Sequence, residues 1–280
     1  MTNQSTEPRT ENSSIPPLSL DIGPFWELRK GSGPLIGVAL HAGHNLRSEI
    51  VPLLVIDEET RFREEDPYSD YWTPVCGTQI LTLRSRFEVD LNRSRDQAVY
   101  QTPADSWGVK IWSEPPSRSI VKSSLAEHDR FYAMLKRELN EIQQRSGHFV
   151  ILDFHSYNHR RQGAASAPAD PELNPEINIG TGSMKRENWS GVVDGFINTL
   201  GSADFLGRKL DVRENVNFKG RYLAQFVHHH FPDHGCVLAI EVKKFFMDEW
   251  SGLADTRQVV ALREIFRLGA TEINNQLGSR

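Results

Sequence analysis

Apolar residues gather in three short, nearly continuous runs along the chain, at residues 35–40, 149–155 and 236–241. Runs of this length, without regular alternation of polar positions, are typical of strands that are buried on both faces of a sheet. The three runs therefore predict neighbouring strands of a mostly parallel sheet.

Between and after these runs, the spacing of apolar residues changes to that of a helix. Ser124 and Glu127 form an S-x-x-E capping box, which predicts the start of an amphipathic helix that ends before Gly147. Further helical patterns cover residues 188–200, 222–227 and 255–277. Residues 161–183 are rich in Gly, Pro and Asn and predict a long loop of the kind that often covers a site. Strands that alternate with helices predict an α/β fold, a three-layer sandwich around a mostly parallel, mixed sheet.

Composition favours one globular domain. Hydrophobic residues make up 38% of the 280 residues and charged residues 25%, which is enough apolar material for a large core. A chain of this length is commonly a single α/β domain, which we place at residues 21–280. Residues 1–20 are rich in Ser, Thr, Asn, Glu and Pro and bury too little apolar area to offset the entropy of ordering, so we expect a mobile tail.

The charge and the cysteine content indicate which partners and which cellular compartment to expect. The formal net charge is −5 and the basic residues are dispersed, which disfavours nucleic acid as a partner. The two isolated cysteines, Cys76 and Cys236, do not form the disulfide framework of a secreted domain. The first residues lack the pattern of a signal peptide, and no stretch approaches about 18 consecutive apolar residues. We therefore expect a cytoplasmic protein without a membrane partner; the oligomeric state stays open.

The apolar runs deliver metal-binding or proton-transferring groups at their carboxyl ends: His41 and His44, then His155, then Glu241. In open α/β sheets, ligands bind beyond the carboxyl ends of the strands, so these groups could meet although they are distant in sequence. Catalytic zinc typically has three protein ligands and one position for water. We expect the histidines to bind such an ion and Glu241 to take the proton of the water. The alternative for any single histidine is an ordinary polar residue at a strand end.

Two other groups of residues stand out. Residues 83–95 place four arginines around a short strand-like stretch, and arginine suits bidentate capture of a carboxylate. Solvation is the alternative for Arg84 and Arg95. Residues 228–230 are three consecutive histidines in a predicted helix, where neighbours point in different directions and cannot share one ion. We expect these histidines to lie at the surface or to be partly packed.

Six strings of residues follow one another in order over about residues 35–250. They are His41-Ala42-Gly43; Ser85-Arg86 with Val89-Asp90-Leu91-Asn92-Arg93; Asp153-Phe154-His155-Ser156; Ile179-Gly180-Thr181; Asn217-Phe218-Lys219-Gly220-Arg221-Tyr222; and Ile240-Glu241 with Met247-Asp248-Glu249. In this order they resemble the motifs of the N-formylglutamate amidohydrolases, which look like distant relatives of the zinc carboxypeptidases. The resemblance implies a phosphorylase/hydrolase-like, zinc carboxypeptidase-like fold and a metal-dependent hydrolase of small N-acyl amino acids. The best-known substrate of the family is N-formylglutamate, an intermediate of histidine breakdown.

The resemblance also implies roles for single residues. His41 and His155 match the metal-binding positions, and Glu241 matches the position of the general base. Zinc carboxypeptidases carry His-x-x-Glu, whereas this chain has His41-Ala42-Gly43-His44. The remaining ligand of one Zn²⁺ ion, or of another divalent metal, is then His44, which we favour, or an acid of residues 63–67 such as Glu65.

The segment Asp90-Leu91-Asn92-Arg93 resembles the substrate-carboxylate motif of the carboxypeptidases. We therefore expect Arg86, Asn92 and Arg93 to hold the carboxylates of the substrate. Arg221 and Lys243 depart from the residues expected at their positions, which concerns specificity for the acyl amino acid.

Two alternatives remain open at the level of sequence. One is a zinc peptidase that acts on short or cell-wall peptides and needs a longer, open groove. The other is a non-catalytic protein of the same fold that binds acidic metabolites without a metal ion. Fold and family likeness support a reaction class better than a particular substrate.

Overall fold

A computed structural model describes residues 24–278, in which seven strands form one mixed sheet in the order β1-β3-β2-β4-β7-β5-β6. The strands are β1 (Trp26–Arg29), β2 (Leu35–Ala39), β3 (Thr78–Thr82), β4 (Phe149–Tyr157), β5 (Ile177–Gly180), β6 (Val212–Glu214) and β7 (Gly235–Lys243). Strands β3, β2, β4 and β7 run parallel to one another. Strand β1 is antiparallel to β3, and β5 is antiparallel to β7. The centre of the sheet is therefore parallel, as expected.

Helices cover both faces of this sheet. They are α1 (Glu58–Glu64), α2 (Ser69–Trp72), α3 (Arg118–Ser146), α4 (Ser190–Ser202), α5 (Tyr222–His230) and α6 (Thr256–Gly278). Side chains of α3 and α5 form one apolar core with one face of the central strands, and side chains of α2, α4 and α6 form another with the opposite face. This arrangement confirms the predicted α/β fold.

The three apolar runs correspond to β2, β4 and β7. Their side chains are buried almost throughout, because helices pack on both faces of these strands. Strands β4 and β7 pair over nine residues, and the register places His155 opposite Glu241.

The predicted start of α3 is wrong. The helix begins at Arg118, where the Ser117 side chain accepts a hydrogen bond from the Ile120 backbone N–H. Ser124 lies buried inside the helix and accepts a hydrogen bond of 2.7 Å from Arg47. The predicted end is confirmed, since Gly147 follows the last turn with a φ of 76°.

Two further segments differ from the expectation. The predicted long loop at residues 161–183 contains β5, whose four residues are all buried. Residues 83–95 form turns that follow β3 and hold no strand. Both segments are short and lack a repeated hydrophobic pattern, so their conformation depends on neighbours that are distant in sequence.

The predicted mobile tail, residues 1–20, lies outside the described residues, and the domain bounds of 21–280 stay a prediction. Both cysteines are buried and form no disulfide. Among the helices of residues 24–278, none is long and apolar enough to cross a membrane.

Candidate active site

Two buried histidines, His41 and His155, meet around the carboxylate of Asp66. His41 follows β2 and His155 lies near the end of the adjacent β4, which places their ring centroids 4.9 Å apart. The Asp66 Oδ2 atom lies 3.2 Å from Nδ1 of His41 and 3.0 Å from Nδ1 of His155. Asp66 is fixed in turn by a backbone hydrogen bond of 2.9 Å from its N–H to the carbonyl of His41.

This group has the chemistry and the spacing of a metal site. The Nε2 atom of His41 lies 2.8 Å from Asp90 in hydrogen-bond geometry. The Nε2 atom of His155 lies 3.2 Å from the Asn92 amide nitrogen and 3.0 Å from Asp153, whose carboxylate oxygens accept no hydrogen bond within the described residues. A neutral imidazole has only one N–H, so protons on the Nε2 atoms leave two lone pairs and the Asp66 carboxylate facing one another. A cation between them would satisfy all three, and Asp90 would orient His41 as outer carboxylates commonly do. Ligand atoms that share a zinc ion at bonds of about 2.0–2.2 Å lie about 3.3 Å apart. The two distances from Asp66 Oδ2 are close to this value, and all three donor atoms lie within 4.8 Å of one another.

The electrostatics of the group depend on the same contacts. Burial alone would raise the pKa of the Asp66 carboxyl. When the rings carry protons on Nδ1 instead, hydrogen bonds from His155 and His41 outweigh burial and hold this pKa below its ordinary value. Burial alone would lower the pKa of His155, but the carboxylates of Asp153 and Asp66 raise it well above its ordinary value. The group therefore keeps Asp66 ionised and favours a positive charge next to it.

The structure does not bring His44 to this group. The His44 Nδ1 atom lies 2.6 Å from Glu65, and its Nε2 atom lies 2.7 Å from the guanidinium of Arg61. Glu65 is fully buried and accepts a hydrogen bond from Ser85. Within the described residues, the group that could hold a metal ion includes neither His44 nor Glu65. Its third member, Asp66, is another acid of the 63–67 stretch that the sequence offered as the alternative.

Glu241 lies beside the metal-binding group in a small inner pocket of about 70 Å³. This inner pocket is lined by Glu64, Asp66, Arg86, Trp107, His155, Ser156, Tyr157, Asn158, Arg161, Phe218, Arg221, Glu241 and Lys244. Burial, with the nearby charges of Asp66 and Asp153, raises the pKa of Glu241 to about 7 against the opposing effect of His155. A carboxyl with this pKa can both accept and return a proton near neutral pH.

Of the three expected substrate-binding residues, only Arg86 lines the inner pocket. Its guanidinium donates to Asp90 at 2.8 Å and to the Tyr100 hydroxyl at 3.2 Å, which fixes its position. Asn92 lies behind the pocket, where its amide nitrogen is 3.2 Å from His155 Nε2. Arg93 lies over the ring of Tyr100, 4.6 Å from its centroid.

Sequence reasoning missed two other cations of the inner pocket, Arg161 and Lys244, whereas Arg221, which it singled out for specificity, also lines this pocket. Lys244 is buried after the end of β7, and its ammonium donates to the carbonyls of Arg63 at 2.5 Å and Glu65 at 2.7 Å. This contact ties the segment that leads to Asp66 to the strand that carries Glu241. No local pattern marked Lys244, because its partners lie about 180 positions earlier in the chain.

The inner pocket opens into an outer cleft of about 630 Å³. The two share Trp107, Tyr157, Asn158, Arg161 and Phe218, and the outer cleft adds His159, Gln162, Ser166, Ala167, Pro168, Ala169, Asn174 and Asn217. The carboxylate of the buried Glu249 accepts hydrogen bonds from the backbone N–H groups of His159 and Arg160. These contacts hold the start of the loop that borders the cleft.

Comparisons with known proteins agree with this architecture. A crystal structure of N-formylglutamate amidohydrolase from Ralstonia eutropha JMP134 superimposes with a TM-score of 0.69 at 17% identity, over 91% of this chain and 98% of that one. The gene product Atu2144 from Agrobacterium tumefaciens superimposes with a TM-score of 0.62 at 16% identity, over 90% of this chain and 96% of that one. At these identities the likeness shows the fold alone, and no curated protein matches the sequence significantly. Residues 33–247, however, match the family described as N-formylglutamate amidohydrolase, so the chain belongs to that family.

Proposed function

We propose that this protein is a zinc-dependent amidohydrolase that cleaves the amide of an N-formyl or other N-acyl acidic amino acid. Family membership supports the amidohydrolase class. The observation that carries the proposal is the set of buried donor atoms of His41, Asp66 and His155, all within 4.8 Å of one another, with Glu241 in the same pocket. In this proposal Asp66 replaces His44 as the third ligand. A role in histidine breakdown and a cytoplasmic location remain predictions.

The reaction adds one water molecule across the scissile C–N bond. A zinc ion held by the three ligands would polarise the acyl carbonyl and lower the pKa of the attacking water. Glu241 takes one proton from this water as its oxygen bonds to the acyl carbon. The C–N bond then breaks, Glu241 gives that proton to the leaving nitrogen, and the products are a carboxylic acid and a free amino acid.

The cations of the inner pocket orient the substrate. Arg86 is held rigidly by its hydrogen bonds to Asp90 and Tyr100, so it binds a carboxylate without losing side-chain freedom. Arg221 lines the same pocket, and within the described part of the chain its guanidinium has no ion-pair partner. We assign the carboxylates of the acidic amino acid to Arg86 and Arg221, with Arg161 at the entrance. Asn92 contacts His155 and Arg93 contacts Asp90, and these contacts hold His155 and Asp90 in position.

The substitution Glu241→Gln tests this mechanism. It removes the proton acceptor and leaves the donor atoms of His41, Asp66 and His155 in place, so kcat should fall by about a hundredfold to ten-thousandfold. Zinc content, measured by elemental analysis of protein purified without chelators, should stay near one ion per chain. A variant that releases amino acid from N-acylglutamate at close to the parent rate would contradict the role of Glu241.

A further inference from the structure

The two cavities at the site differ in chemistry. Arg86, Arg221 and Lys244 line only the inner pocket, and Arg161 lines both cavities as the one guanidinium of the outer cleft. The inner pocket also holds three carboxylates, which are those of Glu64, Asp66 and Glu241. Aromatic rings and side-chain amides dominate the remaining lining of the outer cleft, and no carboxylate belongs to it. The acidic amino acid therefore fits the inner pocket, and the acyl side of the scissile bond faces the outer cleft.

The outer cleft is much larger than a formyl group requires. Its volume of about 630 Å³ lies within the range of about 300–1,000 Å³ that is typical of complete small-molecule sites. A formyl group would leave this space filled only with water. Enzymes gain rate and selectivity from contacts with the parts of a substrate that do not react, and this cleft offers such contacts.

Aromatic side chains border the cleft at two positions. The Trp107 ring is 43% exposed at the entrance, and the guanidinium groups of Arg86 and Arg161 lie 4.8 Å and 5.8 Å from its centroid. The rings of Tyr157 and Phe218 contact each other with centroids 5.1 Å apart. Rings held in this way offer flat surfaces for a planar group of the ligand.

We propose that the natural substrate carries an acyl group larger than formyl, with a planar or aromatic group. The planar group lies between Trp107 and Phe218. The acidic amino acid occupies the inner pocket. This inference rests on the proposed function and specifies its substrate class.

A pair of matched substrates tests the inference. N-(benzoylglycyl)-glutamate carries an aromatic ring, whereas N-(acetylglycyl)-glutamate carries a methyl group in its place. The first should exceed N-formylglutamate in kcat/KM by about tenfold or more, mainly through a lower KM, which is the gain expected from one buried ring. It should also exceed the second, since only the first carries a planar group that can lie against Trp107 and Phe218. Calorimetric titration of the Glu241→Gln variant should give the same order of affinity without turnover.

Substitutions of the aromatic residues test whether their rings produce the preference for the larger acyl group. Trp107→Ala and Phe218→Ala should each reduce the preference for the benzoylglycyl substrate over N-formylglutamate about tenfold. Trp107→Phe should restore most of the preference. Tyr71→Ala is a matched control, because Tyr71 is 39% exposed and stacks on Arg263 outside both cavities.

The outcomes separate this inference from the proposed function. Faster hydrolysis of N-formylglutamate than of the benzoylglycyl substrate, or an unchanged preference in Trp107→Ala and Phe218→Ala, would overturn the larger acyl group and leave the amidohydrolase in place. Hydrolysis of none of the N-acylglutamates by zinc-loaded protein would contradict the proposed function. Preference for peptides without an acidic residue after the scissile bond would overturn both and favour a peptidase.

Discussion

Two glutamates in the interior of this protein, Glu88 and Glu241, have different partners, and the partners indicate different roles. Glu88 is fully buried but accepts ion pairs from Arg47 at 2.7 Å and Arg84 at 3.1 Å. These contacts join the turns after β3 to Arg47. Glu241 has no such ion pair within the described residues, and burial raises its pKa to about 7. The two glutamates look alike in the sequence, and only their partners distinguish them.

Substitutions at Asp66 and His44 test the ligand set. Asp66→Asn keeps the shape of the side chain but removes its charge, so affinity for zinc should fall by a hundredfold or more, beyond the roughly 10–100-fold cost of losing an outer partner. His44→Gln should leave zinc affinity close to that of the parent, since His44 contacts Glu65 and Arg61. Competition with a fluorescent chelator measures both affinities. Loss of zinc from His44→Gln with retention in Asp66→Asn would restore the original assignment.

His228 of α5 is buried and bonds to the backbone of β7. Its Nε2 atom accepts a hydrogen bond of 3.1 Å from the Val237 backbone N–H, and its Nδ1 atom lies 2.7 Å from the Ser183 hydroxyl. The bond from Val237 requires a bare Nε2, so the proton of the neutral ring sits on Nδ1. Burial lowers the pKa of His228 from 6.5 to about 4. Of the three consecutive histidines, this one is buried and His229 is exposed.

This histidine should make the protein less stable in mild acid. Because its pKa is lower in the folded chain than in the unfolded chain, its contribution is complete above about pH 6.5 and is lost as the pH falls toward 4. Between pH 7.5 and pH 5 the parent should lose roughly 2 kcal/mol more unfolding free energy than His228→Gln, as measured by urea denaturation. His229→Gln serves as the control and should retain the parent slope. Equal slopes for the parent and His228→Gln would show that His228 is not held neutral.

The site was predictable in part at this scale. His41, His155 and Glu241 follow or end apolar runs, so the strand-end rule finds them, and the structure brings them to one edge of the sheet. Asp66 follows the short helix α1 in a loop, where neither periodicity nor a strand end marks it. Arg161 lies in a loop and Arg221 at the start of α5, and only the assembled pocket shows that they face the same space.

At the scale of elements, burial on both faces decided which strands the sequence could predict. The central strands β2, β4 and β7 begin with continuous apolar runs because helices cover both of their faces. The edge strands β1 and β6 are short and only partly buried, so no continuous apolar run marks them. The start of α3 was misplaced because S-x-x-E also occurs within the helix, where Ser124 bonds to a distant arginine.

The contact between α4 and α6 depends on a helix glycine. A Cβ atom at Gly269 would lie 2.5 Å from Phe196 and 2.6 Å from Leu200, so α6 needs a glycine to approach α4. Gly269→Ala should therefore reduce the unfolding free energy by about 1–3 kcal/mol despite the better helix propensity of alanine. Gly201→Ala in α4 is the matched control, since nothing lies within 4 Å of its Cβ, and it should be neutral or stabilising by up to about 1 kcal/mol. Equal effects of the two changes in denaturant melts would contradict close packing at Gly269.

At the scale of the whole molecule, the metal-binding group joins parts that are far apart in sequence. His41 follows β2, Asp66 follows α1, and His155 lies in β4. An ion that binds only the folded arrangement stabilises it by mass action, by roughly 3 kcal/mol when it is present at about a hundred times its Kd. Folding and metal loading should therefore be linked.

A chelator should reveal this linkage in a thermal melt. Removal of bound zinc should lower the Tm of the parent by about 5 °C or more. The Tm of Asp66→Asn should respond little, because this variant binds zinc weakly from the start. A parent Tm that is the same with and without chelator, in protein shown to contain zinc, would argue against a site that spans these elements.

The buried Lys244 ammonium has one more consequence. Its hydrogen bonds to the carbonyls of Arg63 and Glu65 connect the segment before Asp66 to the end of the strand that contains Glu241. We therefore expect motions of the loops that border the cleft to alter how readily a substrate enters, while the separation of Asp66 and Glu241 stays the same. Substitutions in those loops should then change KM more than kcat.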